Sequence, residues 1–331
     1  MQLDIIINIF RIFAVCVIVI LCMNMENNLI ATIYFGKNCT LFALIKKNDN
    51  AFCLHYLNKF NPINPSNQTE KETKNTIQKL NAVIEKYKNN ISHFFATIDT
   101  QYSIITKIPG DYDLASSEFI ELINLEIRQH FSNLTVEDFR VKITKLNSNP
   151  QMNLAIITSK TLINSIENMI SDFGFELTDI NASPFSAVNT FNYNYPDKSE
   201  KVNIIVHINQ NILEFAILQN NQILDYEFYA LSNEAGISRA IEVKINSIIK
   251  NLNIDEVEGI YFFGQNLSKE EYIKCWEIGM FISFDSKRLN PFRMFDNVLE
   301  KRDQEYCSRM FHTFPACIGG ALPIQFQIVK C

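Results

Sequence analysis

The chain carries one structural plan twice, and this repetition limits its fold more than any other feature. From Leu29, apolar alternation predicts a strand over 29–35, a tight turn at Gly36, and further strands over 40–46 and 52–59. From Val202 the order returns in "VNIIVHINQNILEFAILQNNQILDYEFYAL", where two apolar runs flank the polar turn His207-Ile208-Asn209-Gln210-Asn211. Each meander is followed by alternating helices and strands, so the pattern predicts an α/β chain of two related halves.

In the first half, Ile77, Leu80, Ile84 and Tyr87 fall on one face of a helix predicted over 73–87. Strands are predicted over 93–99 and 102–108, then an amphipathic helix over 116–131 with Phe119, Ile120, Ile123 and Ile127 inward. Strands at 139–146 and 152–158, a helix at 160–173 closed by Gly174, a strand at 177–181 and a helix from Pro184 complete it. The polar segment "NYNYPDKSEK" is the clearest boundary. Beyond the second meander, helices are predicted over 233–251 and 270–278, strands over 258–263 and 281–284, and a last helical stretch over 309–321. The expected division is a hydrophobic N-terminal segment, 1–24, a first half, 25–195, with an inserted α+β subdomain at about 93–147, and a second half, 196–331.

At 331 residues and 47% hydrophobic, the chain is long enough to bury a large core. A formal net charge of -6 and the lack of a basic run argue against nucleic acid as a partner. The eight cysteines include no C-x-x-C pair and no histidine at ligand spacing, so buried thiols in a reducing compartment are expected rather than zinc or disulfides. The five histidines each stand alone and read as ordinary surface or core residues. Asp99, the pair Asp111 and Asp113, and the pair Asp225 and Glu227 read as solvated turn or strand charge. No nucleophile elbow, zinc-protease helix, Walker A loop or dinucleotide-binding glycine motif occurs.

The apolar run over 5–23, broken by Asn8 and Arg11, leaves three readings open. It is a membrane anchor, an export signal, or an over-long start whose true first residue is Met23 or Met25. As an anchor, it would be followed by Lys37, Lys46 and Lys47 and preceded by Asp4, which places the large domain in the cytoplasm.

The duplicated halves resemble the actin, sugar kinase and Hsp70 superfamily. Within it the chain is most similar to the PilM family of type IV pilus assembly, with the GspL and FtsA families sharing the layout. The resemblance spans about residues 29–322 and rests on "ISDFGFELTDINASPFSAVNTF", on "FPACIGGAL" near the C-terminus, and on "FFATIDTQYSIITKIP" leading to "DFRVKITKL". It implies an actin-like (ribonuclease H-like) duplicated fold with two mixed-sheet halves. It also implies a groove beside the inserted subdomain, near 94–146, for the cytoplasmic segment of a PilN-like inner-membrane partner.

The resemblance further implies where a nucleotide would sit, and there the chain departs from the pattern. The first phosphate turn should carry Asp-x-Gly and here offers Tyr34, Gly36, Lys37 and Asn38; the second offers His207 and Asn209; the adenosine turn keeps Gly264 followed by Gln265. With both turn carboxylates missing, the expectation is a non-catalytic scaffold with no cofactor, peripheral on the cytoplasmic face of the inner membrane. The alternative is an ATPase or phosphotransferase that binds ATP through altered residues.

Overall fold

The computed structural model describes residues 29–48, 51–110, 117–147, 150–209, 212–231, 236–267, 270, 272–275, 284–322 and 327–328. The N-terminal apolar run, the pair Asp111 and Asp113, and residues 281–283 of the strand predicted over 281–284 lie outside them, as do Cys16, Cys22 and Cys331.

Two sheets of one topology form the body of the molecule. In the first, β1 (Leu29–Phe35), β2 (Thr40–Lys47) and β3 (Phe52–Phe60) form an antiparallel meander. Strands β4 (Ile91–Ile98) and β8 (Leu177–Ala182) extend it in parallel from β1. In the second, β9 (Val202–Ile208), β10 (Ile212–Gln219) and β11 (Gln222–Ala230) repeat the meander, and β12 (Val257–Phe263) and β13 (Asp285–Arg288) extend it in parallel from β9. The orders β3-β2-β1-β4-β8 and β11-β10-β9-β12-β13 correspond strand for strand in order and pairing sense, which is the duplication read from the sequence.

The central strands read as continuous apolar runs because they are covered on both faces. All seven residues of β1 are buried. Leu29, Ala31, Ile33 and Phe35 pack with Leu80 and Ile84 of α1 (Lys71–Tyr87) and with Ile163, Ile166 and Ile170 of α3 (Lys160–Asp172). In the second sheet Ile204, Val206 and Ile208 pack with Ile241, Ile245 and Ile248 of α5 (Ile237–Asn251).

The opposite faces of the two sheets meet over a shared core holding α4 (Ser183–Asn194) and α7 (Pro315–Gly319). Ten of the 12 residues of α4 are buried, polar and apolar alike, which explains its weak amphipathicity: it is enclosed nearly all round. The expected last helix over 309–321 is in fact two. Helix α6 (Lys301–Met310) ends in a short 3-10 turn, Phe311–Thr313, before Pro315 starts α7. Strand β14 (Asp296–Asn297) returns to pair with β3, so the C-terminal stretch serves both halves.

The inserted subdomain is a separate sheet of β5 (Ser103–Pro109), β6 (Phe139–Lys145) and β7 (Met152–Ser159), with β15 (Gln327–Ile328) at the far edge. Helix α2 (Ser117–His130) covers it through Phe119, Ile123 and Ile127. Its expected bounds of about 93–147 need correction at both ends. Strand β4 pairs with β1 and belongs to the first half, while β7 pairs with both β5 and β6 and belongs to the insert. The error has a simple cause: local apolar alternation marks a strand but does not say which sheet it joins.

Gly319 and Gly320 are small because of what they touch. A methyl group on Gly319 would lie 1.7 Å from the Ser186 carbonyl oxygen of α4, and one on Gly320 would lie 2.5 Å from Thr97 Oγ1 and 2.9 Å from Thr32 Oγ1. Gly320 is right-handed helical, so a left-handed cap is not its role. Gly319→Ala is therefore expected to cost about 3 kcal/mol or more, because backbone blocks it, and Gly320→Ala about 1–3 kcal/mol, because hydroxyls can turn aside. Chemical denaturation of the two variants checks both the loss and its order.

Candidate functional site

In each sheet, parallel strands end side by side, with Phe35 opposite Ile98 and Phe263 opposite His207. The segments leaving these strands converge on one cleft between the halves, the usual place for a ligand in such sheets. The cleft is lined by Tyr34, Lys37, Asn38, Asp99, His207, Asn209 and Gln265, with Ile208 and Asn266. The expected turn residues thus do meet. Gly36 and Gly264 are needed there for packing: a methyl on Gly36 would lie 2.6 Å from the Tyr34 ring, and one on Gly264, at φ +128°, would lie 2.4 Å from the Ile208 carbonyl oxygen.

Two expectations about charge fail here. Asp99 is not a solvated turn residue but only 2% exposed. It accepts hydrogen bonds from Asn209 Nδ2 at 2.8 Å and from the Lys37 backbone N–H at 3.4 Å. His207 is not an ordinary lone histidine, because its Nδ1 lies 2.7 Å from Oε2 of Glu214, a residue that sequence reading passed over. Glu214 is buried and also accepts from Thr100 Oγ1 at 2.7 and 2.9 Å and from the Tyr226 hydroxyl. The His207 ring stacks on Phe263 at 4.4 Å between centroids. Glu214 could have been noticed as a charge inside the apolar run "ILEFAILQ", where an inward position demands a partner.

Burial sets the electrostatics and the pair then overrides it. Desolvation alone would lower the His207 pKa, but the hydrogen bond and charge of Glu214, with Asp99 behind, raise it above the ordinary value. Desolvation would raise Glu214, yet His207, Tyr226 and Thr100 hold it below the usual carboxylate range. Asp99 is raised by burial, with the His207 charge opposing and the Glu214 charge adding. Tyr34 is pushed up by burial and by Asp99. The cluster is one imidazole among two carboxyl groups, and the free space left is about 10 Å³, the room of roughly one water. Among the described residues, no group of three or more His, Cys, Asp or Glu side chains could hold a metal ion.

Asp225 and Glu227, expected to be solvated, are also engaged. Lys107 of β5 donates to Asp225 Oδ1 at 3.1 Å and to Glu227 Oε1 at 2.7 Å, and Lys244 reaches Glu227 Oε2 at 2.9 Å. These pairs tie the inserted subdomain to the second half. Lys142 ties it to the first, donating to both oxygens of Asp179 at 2.7 Å, to the Ile180 carbonyl at 2.7 Å and to Asn181 Oδ1 at 3.0 Å.

Between these ties lies a groove of about 580 Å³. Ile104, Ile105, Phe139, Ile157 and Leu162 give it an apolar wall, and Phe131 and Phe228, 45% and 60% exposed, stand at its rim. Thr100, Glu214 and Tyr226 also line it, so the groove and the cleft share a partition. The expected groove beside the insert is present, though its lining reaches past 94–146 to Leu162, Ile212 and Phe228.

The five described cysteines, Cys39, Cys53, Cys275, Cys307 and Cys317, are free and buried, as expected. Burial pushes the thiols of Cys39 and Cys307 up to about 11, which makes them inert at neutral pH. Among the described residues no helix is long and apolar enough to cross a membrane.

The raised His207 pKa fixes a pH dependence. A folded-state pKa above the unfolded value contributes stability below the ordinary 6.5, and this is lost as the pH rises through the folded value. Above it, two buried carboxylates face each other without their cation. Glu214 acts at the other limit, its contribution being lost as the pH falls below the ordinary 4.5. Stability should therefore peak between these limits and fall on the alkaline side. His207→Ala should cost about 3–5 kcal/mol near neutral pH, as for a buried pair that loses one partner. Urea denaturation from pH 5 to 9 checks both, and a His207→Gln variant should lack the alkaline decline.

The sequence matches no protein-family model, and no curated protein matches it. Solved structures do match in shape. A chain of a PilM-PilN type IV pilus biogenesis complex aligns over 90% of this chain and 100% of its own length, with 10% identity and a TM-score of 0.66. A Bacteroides thetaiotaomicron protein of actin-like ATPase fold and unknown function aligns over 82% and 96%, with 11% identity and a TM-score of 0.51. With the duplicated topology, these likenesses establish that the chain has the actin-like ATPase fold.

Proposed function

We propose that the protein is a non-catalytic actin-like scaffold that receives the cytoplasmic segment of a PilN-like inner-membrane protein in the groove beside its inserted subdomain. The observation that carries this reading is the contrast between two neighbouring spaces. The cleft where a nucleotide would sit has room for roughly one water, while the groove is open, apolar and rimmed by exposed aromatic side chains. Its described lining brings no exposed carboxylate or ammonium group to a bound chain, so affinity must come from apolar anchoring and backbone pairing. The likeness to a chain of the PilM-PilN complex supports this choice of partner. The protein then sits at the cytoplasmic face of the inner membrane, held there by its partner or its own N-terminal segment.

Loss of nucleotide chemistry follows from the same residues. Tyr34 and Asn209 stand where the resemblance requires an acid and a glycine, and Asn209 spends its amide on Asp99. Neither turn presents a free carboxylate to order magnesium. A second reading rests on Asp99, a buried acid at the end of β4 whose raised pKa suits a general base. On that reading the protein is an ATPase or phosphotransferase that opens before binding ATP.

Calorimetric titration decides between them. A synthetic peptide matching the cytoplasmic segment of a PilN-like inner-membrane protein should bind the full chain. Phe228→Glu should weaken that binding by about tenfold or more, the cost of losing a buried aromatic anchor. Magnesium-ATP should give no heat. Micromolar magnesium-dependent ATP affinity with no peptide binding would favour the enzyme.

A further inference from the structure

The contacts across the cleft are reciprocal. The first half supplies one buried acid, Asp99, and one neutral donor, Thr100; the second supplies one buried acid, Glu214, and one neutral donor, Asn209. Each donor serves the acid of the opposite half: Asn209 Nδ2 lies 2.8 Å from Asp99 Oδ1, and Thr100 Oγ1 lies 2.7 and 2.9 Å from the two oxygens of Glu214. His207 pairs with Glu214 through Nδ1, and the Tyr226 hydroxyl and the Lys37 backbone N–H add further bonds to the acids. A buried carboxylate stripped of its donors is strongly disfavoured. Each acid therefore loses one of its donors if the opposite half moves away.

We infer that Asp99 and Glu214 form a clasp, closed by the donors of the opposite half, that locks the two halves together without any bridging ligand. The clasp works through geometry as well as charge. Thr100 sits in the 3-10 turn Thr100–Tyr102 between β4, in the main sheet of the first half, and β5, in the inserted subdomain. A bond from Thr100 to Glu214 therefore fixes the first half, the insert and the second half at one point. Thr100, Glu214 and Tyr226 also line the groove, so closing the clasp sets its floor. The inference stands whatever the groove binds.

Hydrogen exchange by mass spectrometry on the full chain tests it, with Thr100→Val and Asn209→Ala made separately and together. Each single variant removes one cross-cleft donor and the double variant both, and all keep the His207–Glu214 pair. Amides in 34–38 and 205–209 should exchange about tenfold faster for each bond removed. Amides of the inner strand segment 41–45 should stay slow, which separates opening of the cleft from loss of fold, and Thr100→Ser should restore the slow rate. Unchanged exchange at the cleft segments in the double variant would overturn the clasp. So would slowing of those segments in the unsubstituted protein by magnesium-ATP, because a ligand would then be doing the closing. The single Asn209→Ala variant gives the same reading if the double variant does not fold.

Discussion

The architecture depends on the close approach of α7 to α4 between the two sheets. A strand-helix chain can build one covered sheet locally, but two such sheets share a core only if something thin enough passes between them. Gly319 against the Ser186 carbonyl and Gly320 against Thr32 and Thr97 supply that thinness. The hydroxyls crowded there are satisfied across the same contact, Thr32 by the Cys317 carbonyl at 2.8 Å and Thr190 by the Pro315 carbonyl at 2.7 Å. The C-terminal stretch thus closes a fold begun some 285 residues earlier, and the two sheets are held at a fixed angle with their strand ends facing one cleft.

At that cleft the chain spends its buried charge on itself. Buried ion pairs seldom raise stability over an apolar alternative, since desolvation consumes most of the attraction. Their value here is directional. Asp99, His207 and Glu214 can be satisfied together only when the halves are closed, so charge selects one arrangement of two bodies that apolar packing alone would tolerate in several. The same groups line the cleft, so closure and the small space left there come from one set of residues.

The groove follows from the subdomain being tied at its ends and open between them. Lys142 anchors the insert to β8, and Lys107 anchors it to β11. Between these anchors Ile104 and Ile105 of β5 and Ile157 of β7 line the groove, with Phe131 and Phe228 exposed at its rim.

Much of this was legible in the residues. Period-two and helical apolar patterns placed nearly every described element within a few positions, because such patterns report which face of a segment avoids water. The duplication was legible for the same reason. The turns at Gly36, His207 and Gly264 were correctly brought to one place by the resemblance in element order. Asp99 and Glu214 were not recognised, nor was the pairing of Lys107 with Asp225 and Glu227. Their partners lie between 7 and 120 residues away, and a carboxylate in a turn or strand carries no local sign of whether water or a distant donor will meet it. The allocation of β4 to the main sheet and β7 to the insert was hidden likewise. The sequence by itself determined the elements and their repetition, because propensity and patterning are local. Only the tertiary structure decided which strands share a sheet and which charges share a cleft, because pairing energy depends on distances set after the chain has closed on itself.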